Sequence, residues 1–121
     1  MKVGVVGSRR RNSEDDYKWV LDKVQVCAYA YDEDIELVSG GCGAGADRFA
    51  ENISKHYGYD ITIHRPDYHK NGIIAPFIRN ELIAKEADIL IACVAEDRKG
   101  GTEDTIRKFK KHHPEGKLII V

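Results

Sequence analysis

The apolar positions of the chain fall into five short runs separated by longer stretches of helical spacing. Val3-Gly4-Val5-Val6, Ile35 to Val38, Ile61-Thr62-Ile63, Ala87 to Val94 and Leu118 to Val121 show little alternation of polar and apolar residues. Such runs are the pattern of strands covered on both faces. After the first run, Tyr17, Val20, Leu21, Val24 and Ala28 recur on one helical face. Ala46, Phe49, Ala50, Ile53 and Tyr57 do so after the second, and Thr102, Ile106 and Phe109 before the fifth. Pro76 suits the first turn of a helix whose apolar contacts are Phe77, Ile78, Leu82 and Ile83.

Boundaries have their own chemistry. Ser13 and Asp16 form a capping pair, and Glu14, Asp15 and Asp16 suit the positive end of a helix dipole. Gly58 stands at a C′ position, Asp32-Glu33-Asp34 reads as a solvated loop, and Pro114 and Gly116 end the last helix. Residues 65 to 75, punctuated by Pro66 and Gly72, are expected to be the longest irregular connection.

The β-α-β-α-β-α-β-α-β alternation predicts an α/β fold. It is a Rossmann-like three-layer sandwich with a five-stranded parallel sheet, right-handed crossovers and the order 3-2-1-4-5. No repeat, low-complexity segment or shift of composition divides residues 1–121, so one domain is expected.

A net charge of -1 supplies no global positive field to recruit nucleic acid or an anionic membrane. Cys27, Cys42 and Cys93 are odd in number, far apart and without metal-ligand spacing, which points to a reducing compartment. The apolar pentad Val3 to Gly7 is too short for a secretory h-region, and no run approaches the roughly 18 apolar residues of a membrane span. The expected location is cytoplasmic. The five histidines form no metal template, so neither a metal nor a resident cofactor is expected.

Candidate chemistry concentrates in Ser39-Gly40-Gly41-Cys42-Gly43-Ala44-Gly45-Ala46-Asp47, which joins the second strand to the next helix. Strand, glycine loop and helix start together make an anion site, because the first helical turn has free N–H groups and partial positive charge. A tight turn without a ligand is the alternative. Gly41-x-Gly43-x-x-Ala46 has the form of a dinucleotide fingerprint but follows the second strand, whereas the signature follows the first. No Gly-Lys-Ser/Thr ends the loop, so it is not a Walker A motif. The predicted strand order puts the exits of strands one and four, Gly7-Ser8-Arg9 and Gly100-Gly101-Thr102, beside this loop.

In order along the chain come Gly7-Ser8-Arg9, the loop Ser39 to Asp47, Pro66-Asp67-Tyr68, Arg79-Asn80 and Gly101-Thr102. This set resembles the SLOG superfamily, a Rossmann-like group that includes LOG phosphoribohydrolases and DprA, and within it the small YspA-like branch. The resemblance covers nearly the whole chain. It implies binding of a nucleotide or nucleotide-derived ligand, and a homodimer or higher homo-oligomer. By the same resemblance the ligand-binding residues are Gly7, Ser8, Arg9, Ser39, Gly40, Gly41, Gly43, Gly45, Asp47, Asp67, Arg79, Asn80, Gly100, Gly101 and Thr102. LOG enzymes cleave the N-glycosidic bond of a nucleoside 5′-monophosphate with an arginine before strand four and a glutamate after the glycine-threonine loop. Arg79 matches the arginine's region. The glutamate's position, three after the threonine, is Thr105, and the neighbouring acids are Glu103 and Asp104.

Residue by residue, alternatives stay open. Arg79 is suited to a bidentate phosphate or carboxylate contact, or to a salt bridge on its helix. Asp47 is suited to ribose hydroxyls or to capping its helix. Glu103 and Asp104 are candidate general acid or base groups, or acids favoured by the helix dipole. Tyr68 can stack on a base or lie on the surface. The leading expectation is a sensor or carrier of a nucleotide-derived ligand; the alternative is hydrolysis of a nucleotide N-glycosidic bond. A DprA-like nucleic-acid module is disfavoured by the charge balance. The helix around Ile73 to Ile83 carries more apolar residues than one buried stripe needs, so part of it faces a partner or is buried more deeply in the monomer.

Overall fold

A computed structural model describes residues 1–121. The elements run β1 (Lys2–Gly7), α1 (Glu14–Ala30), β2 (Glu36–Ser39), α2 (Ala46–Tyr57), β3 (Asp60–Ile63), α3 (Tyr68–Asn71), α4 (Ala75–Glu86), β4 (Ile89–Cys93), α5 (Gly101–His112) and β5 (Lys117–Ile120). All strand pairs are parallel and the sheet order is β3-β2-β1-β4-β5. The expected Rossmann-like α/β architecture is therefore the observed one. Val3 stands opposite both Leu37 and Ile89, which puts β1 at the centre.

The strand pleat explains why the central runs lack polar alternation, since successive side chains point to opposite faces and both are covered. On one face Val3, Val5, Leu37, Ile89 and Ile91 pack with Val20 and Val24 of α1 and Phe49 and Ile53 of α2. On the other, Val6, Val38, Leu90 and Ala92 pack with Ile83 of α4 and Ile106 and Phe109 of α5. Each fully buried side chain of this size contributes about 1.5–3 kcal/mol, so truncating Phe109 would open the second core.

The α1 capping box is formed: Ser13 Oγ accepts from the Asp16 N–H at 3.0 Å and Asp16 Oδ2 from the Ser13 N–H at 3.2 Å. Gly58 closes α2 in the left-handed region. The connection expected to be irregular from 65 to 75 is instead largely helical. Asp67 accepts from the Lys70 N–H at 3.0 Å and starts α3, and a 3₁₀ turn over Gly72–Ile74 leads directly into α4. Tyr57 is displaced from the expected α2 core face; it is exposed and stacks near Tyr59. Phe77 and Leu82 are likewise exposed, whereas Ile83 is buried. No helix is long and apolar enough to cross a membrane.

Candidate ligand-binding site

The connections leaving β1 and β4 diverge, because α1 covers one face of the sheet and α5 the other. The gap between them at the C-terminal strand ends is the switch point of such sheets. A cleft of about 770 Å³ opens there. It is lined by residues 7–10, 40–42, 99–102 and by Asp47, Arg79, Asn80, Asp104, Thr105 and Arg107, with Tyr68, Pro76 and Phe77 on its flank.

From β1, the Ser8 N–H extends the ladder to the Cys93 carbonyl at 2.9 Å. Three arginines then diverge. Arg9 is exposed beside the cleft. Arg10 makes a bidentate contact with Asp97 at 2.7 and 2.9 Å and donates to the Lys99 carbonyl at 3.2 Å. Arg11 turns away, binding Asp16 at 2.8 Å and the carbonyls of Val94 and Val121.

The glycines of the second loop do different jobs. Gly45 has a φ of 71° and a Cβ there would stand 2.6 Å from the Ser8 carbonyl, so only glycine allows the two loops to touch. Its N–H donates to Asn12 Oδ1 at 2.8 Å. A Cβ on Gly40 would stand 2.5 Å from Arg79 Nη1. Gly43 faces open space. The Cys42 N–H donates to Asp47 Oδ2 at 3.0 Å. The Cys42 and Gly45 amides of this loop are therefore already engaged within the chain.

Asp47 does not provide the side-chain cap of α2, whose N-cap is Gly45. Its carboxyl lies under the loop. Burial pushes its pKa above the ordinary range; the Cys42 amide, the Arg79 charge and the Gly40 amide oppose the shift without cancelling it. Ser39 is buried beneath, its hydroxyl 3.5 Å from the Asp47 carbonyl.

Arg79 of α4 donates to the Gly40 carbonyl at 2.7 Å and to Asn80 Oδ1 at 2.9 Å. Asn80 is buried, and its Nδ2 donates to Asp104 Oδ2 at 3.1 Å. Lys108 completes this pairing at 2.7 Å, with Arg107 3.6 Å away. Glu103, one position earlier on α5, points elsewhere and is held by Arg98 in a bidentate contact at 2.9 Å.

The fold thus brings Gly7, Ser8, Arg9, Gly40, Gly41, Asp47, Arg79, Asn80, Gly100, Gly101, Thr102 and Asp104 to one cleft. Ser39, Gly43, Gly45, Asp67 and Glu103 lie outside its lining, Asp67 as the cap of α3. Arg10, Lys99 and Arg107 also line it and were not expected to. Their signals are slight: a basic run after β1, a lysine before Gly100, and a position one helical turn beyond Asp104. Five cations, Arg9, Arg10, Arg79, Lys99 and Arg107, face two carboxylates, Asp47 and Asp104. The cleft is locally cationic in a chain of net charge -1. No group of three or more His, Cys, Asp or Glu side chains is placed to hold a metal ion.

No protein-family model, curated protein or solved structure matches the chain. The fold and this cleft define a Rossmann-like α/β domain with a cationic crevice at its switch point.

Proposed function

We propose that the chain binds a nucleotide or nucleotide-derived ligand in this crevice, as a sensor or carrier of the SLOG type. The observation that carries the reading is convergence: loops after β1, β2 and β4, far apart in sequence, line one cationic cleft with Arg79. Its volume suits a ligand of nucleotide size. Arg9 is the best placed anion contact, because Arg10 and Arg79 already serve the protein. Calorimetry with nucleoside mono- and diphosphates and ADP-ribose tests the reading. Saturable binding is expected, weakened roughly 10-fold or more in Arg9→Ala by loss of a charge-assisted contact. No response of the wild-type chain across that panel overturns it.

Hydrolysis of a nucleotide N-glycosidic bond is the alternative, and one observation bears on it. Asp104, unlike Glu103, lines the cleft. Its carboxylate is already engaged by Lys108 and Asn80, which supports a structural role. Release of free base by wild type, lost in Asp104→Asn and kept in Glu103→Gln, would establish hydrolysis with Asp104 as the acting carboxylate. We also place the protein in the cytoplasm as a homodimer. The first rests on three free thiols, the second on exposed Ile73, Ile74 and Phe77.

A further inference from the structure

A second concavity, of about 870 Å³, lies away from the sheet edge between the start of α1 and the outer face of α2. Its floor is aromatic. Tyr17 and Phe49 meet edge to face with centroids 5.5 Å apart. Tyr57 closes one end, with the His56 ring against it at 4.8 Å. Above the floor Arg48, Asn52 and Lys55 stand at i, i+4 and i+7, on one side of the helix over roughly 10 Å.

The cations of this groove are not neutralised by its neighbours. Arg48 lies against the Phe49 ring, 5.9 Å from its centroid. Of the nearby acids, Glu51 lies 3.8 Å from Arg65, and Glu14, on the groove's own lining, lies 3.8 Å from Lys18; neither pairs with Arg48 or Lys55. The groove therefore combines the half-buried Tyr17 ring and the exposed Tyr57 ring with a guanidinium and an ammonium that form no salt bridge. An aromatic ring gains from offset or edge contact with Tyr17 and Tyr57. A carboxylate gains most from a guanidinium, whose fork it matches.

We infer that this groove is a second ligand site, for a small aromatic carboxylate. The ring lies on Tyr17 and Tyr57, and the carboxylate is held by Arg48 with Lys55 beside it. The site shares no lining residue with the switch-point cleft, so it stands or falls independently of nucleotide binding.

NMR titration of the ¹⁵N-labelled chain with indole-3-acetate tests it, with neutral indole-3-acetamide as the comparison. Saturable shifts are expected at the amides of residues 13–17 and 48–57, with the amide at least fivefold weaker. Arg48→Gln/Lys55→Gln should weaken indole-3-acetate at least tenfold, and Arg9→Ala should leave it unchanged. Both substituted side chains are exposed, and an undisturbed spectrum elsewhere verifies the fold of the variant. Absence of saturable shifts at millimolar ligand, shifts centred on residues 7–10 and 99–105, equal binding of the amide, or undiminished binding by the double variant each overturns the inference.

Discussion

Arg79 reaches from α4 to the exit of β2 and donates to the Gly40 carbonyl at 2.7 Å. The contact begins a chain of paired groups. Arg79 binds Asn80, Asn80 binds Asp104, and Lys108 binds Asp104 and the Phe77 carbonyl at 2.9 Å. One wall of the cleft is thus a continuous polar network joining a loop to two helices, and such networks rigidify when every member is satisfied. No buried side-chain nitrogen or oxygen is left without a partner.

Glycine substitutions should separate positions that the sequence presents alike. In Gly40→Ala the new methyl group occupies the place of Arg79 Nη1, so the guanidinium must swing away. Loss of that charge-assisted bond should cost about 1.5–3 kcal/mol. Gly43→Ala meets nothing within 4 Å and needs no left-handed backbone. Its effect should stay within about 0.5 kcal/mol. Urea unfolding of the two variants checks the contrast, and equal destabilisation would refute it.

Asn80 is the link with partners on both sides, so its substitution should do more than an ordinary polar deletion. Asn80→Ala leaves Arg79 Nε and the Asp104 carboxylate each short of a partner, at about 1–3 kcal/mol. Asn80→Asp keeps the acceptor for Arg79 but turns a donor into a carboxylate beside Asp104. Its stability should fall at neutral pH and recover as the pH drops into the carboxylate range. A loss independent of pH would exclude carboxylate repulsion as its cause.

The fold was legible because five unalternating apolar runs separated by amphipathic segments admit few arrangements other than a doubly covered parallel sheet. The cleft was partly legible because strand order places the exits of β1, β2 and β4 together. What escaped was local. A four-residue helix such as α3 is too short to show periodicity, and Asp67 reads equally as loop or cap. Composition alone does not distinguish Gly45, needed for its backbone and for contact with Ser8, from Gly43, which touches nothing. The run Arg9-Arg10-Arg11 reads as one basic patch, yet its members have three different surroundings. Glu103 and Asp104 are neighbours in sequence, but consecutive helical residues diverge, and only Asp104 lines the cleft.

Two carboxylates should give opposite pH signatures. Burial holds Asp47 above its ordinary pKa, so its contribution to stability is full below the unfolded value and lost as pH rises through the folded one. Burial also opposes ionisation of Asp16, but Arg11 and Ser13 outweigh it and lower the pKa. Its contribution is present above the unfolded value and lost as pH falls through the folded one. Asp47→Asn should therefore stabilise the chain at pH 7 and Asp16→Asn destabilise it. As pH falls, the Asp47 difference should shrink first, below its raised pKa, and the Asp16 difference only as pH passes its lowered one. Denaturation across a pH series from 7 downward reads the two directly.

The proposed homodimer has a simple readout. Ile73 is 90% exposed and Phe77 52% exposed, so neither owes its environment to the monomer core. Ile73→Ser/Phe77→Ser should reduce a dimer mass to a monomer mass in light scattering while leaving intramolecular contacts largely intact. A wild-type monomer at tens of micromolar removes the proposal.

The rim of the cleft should be latched by Arg10. Its guanidinium joins the loop after β1 to the loop after β4 through both oxygens of Asp97, and it also binds the Lys99 carbonyl. Asp97 Oδ1 in turn accepts from the Lys99 N–H at 3.1 Å. These are the loops on either side of the switch point, so releasing the pair frees the mouth without touching the core. Both partners are solvent-exposed, and screening keeps their effect on global stability small. The consequence is expected in local opening. Arg10→Gln should leave the urea midpoint nearly unchanged but raise hydrogen exchange at residues 97–100. High salt should reproduce part of that rise in the wild type and add little in the variant. Unchanged exchange in Arg10→Gln would mean that the backbone turn alone holds the rim, and that Arg10 is free to meet the ligand.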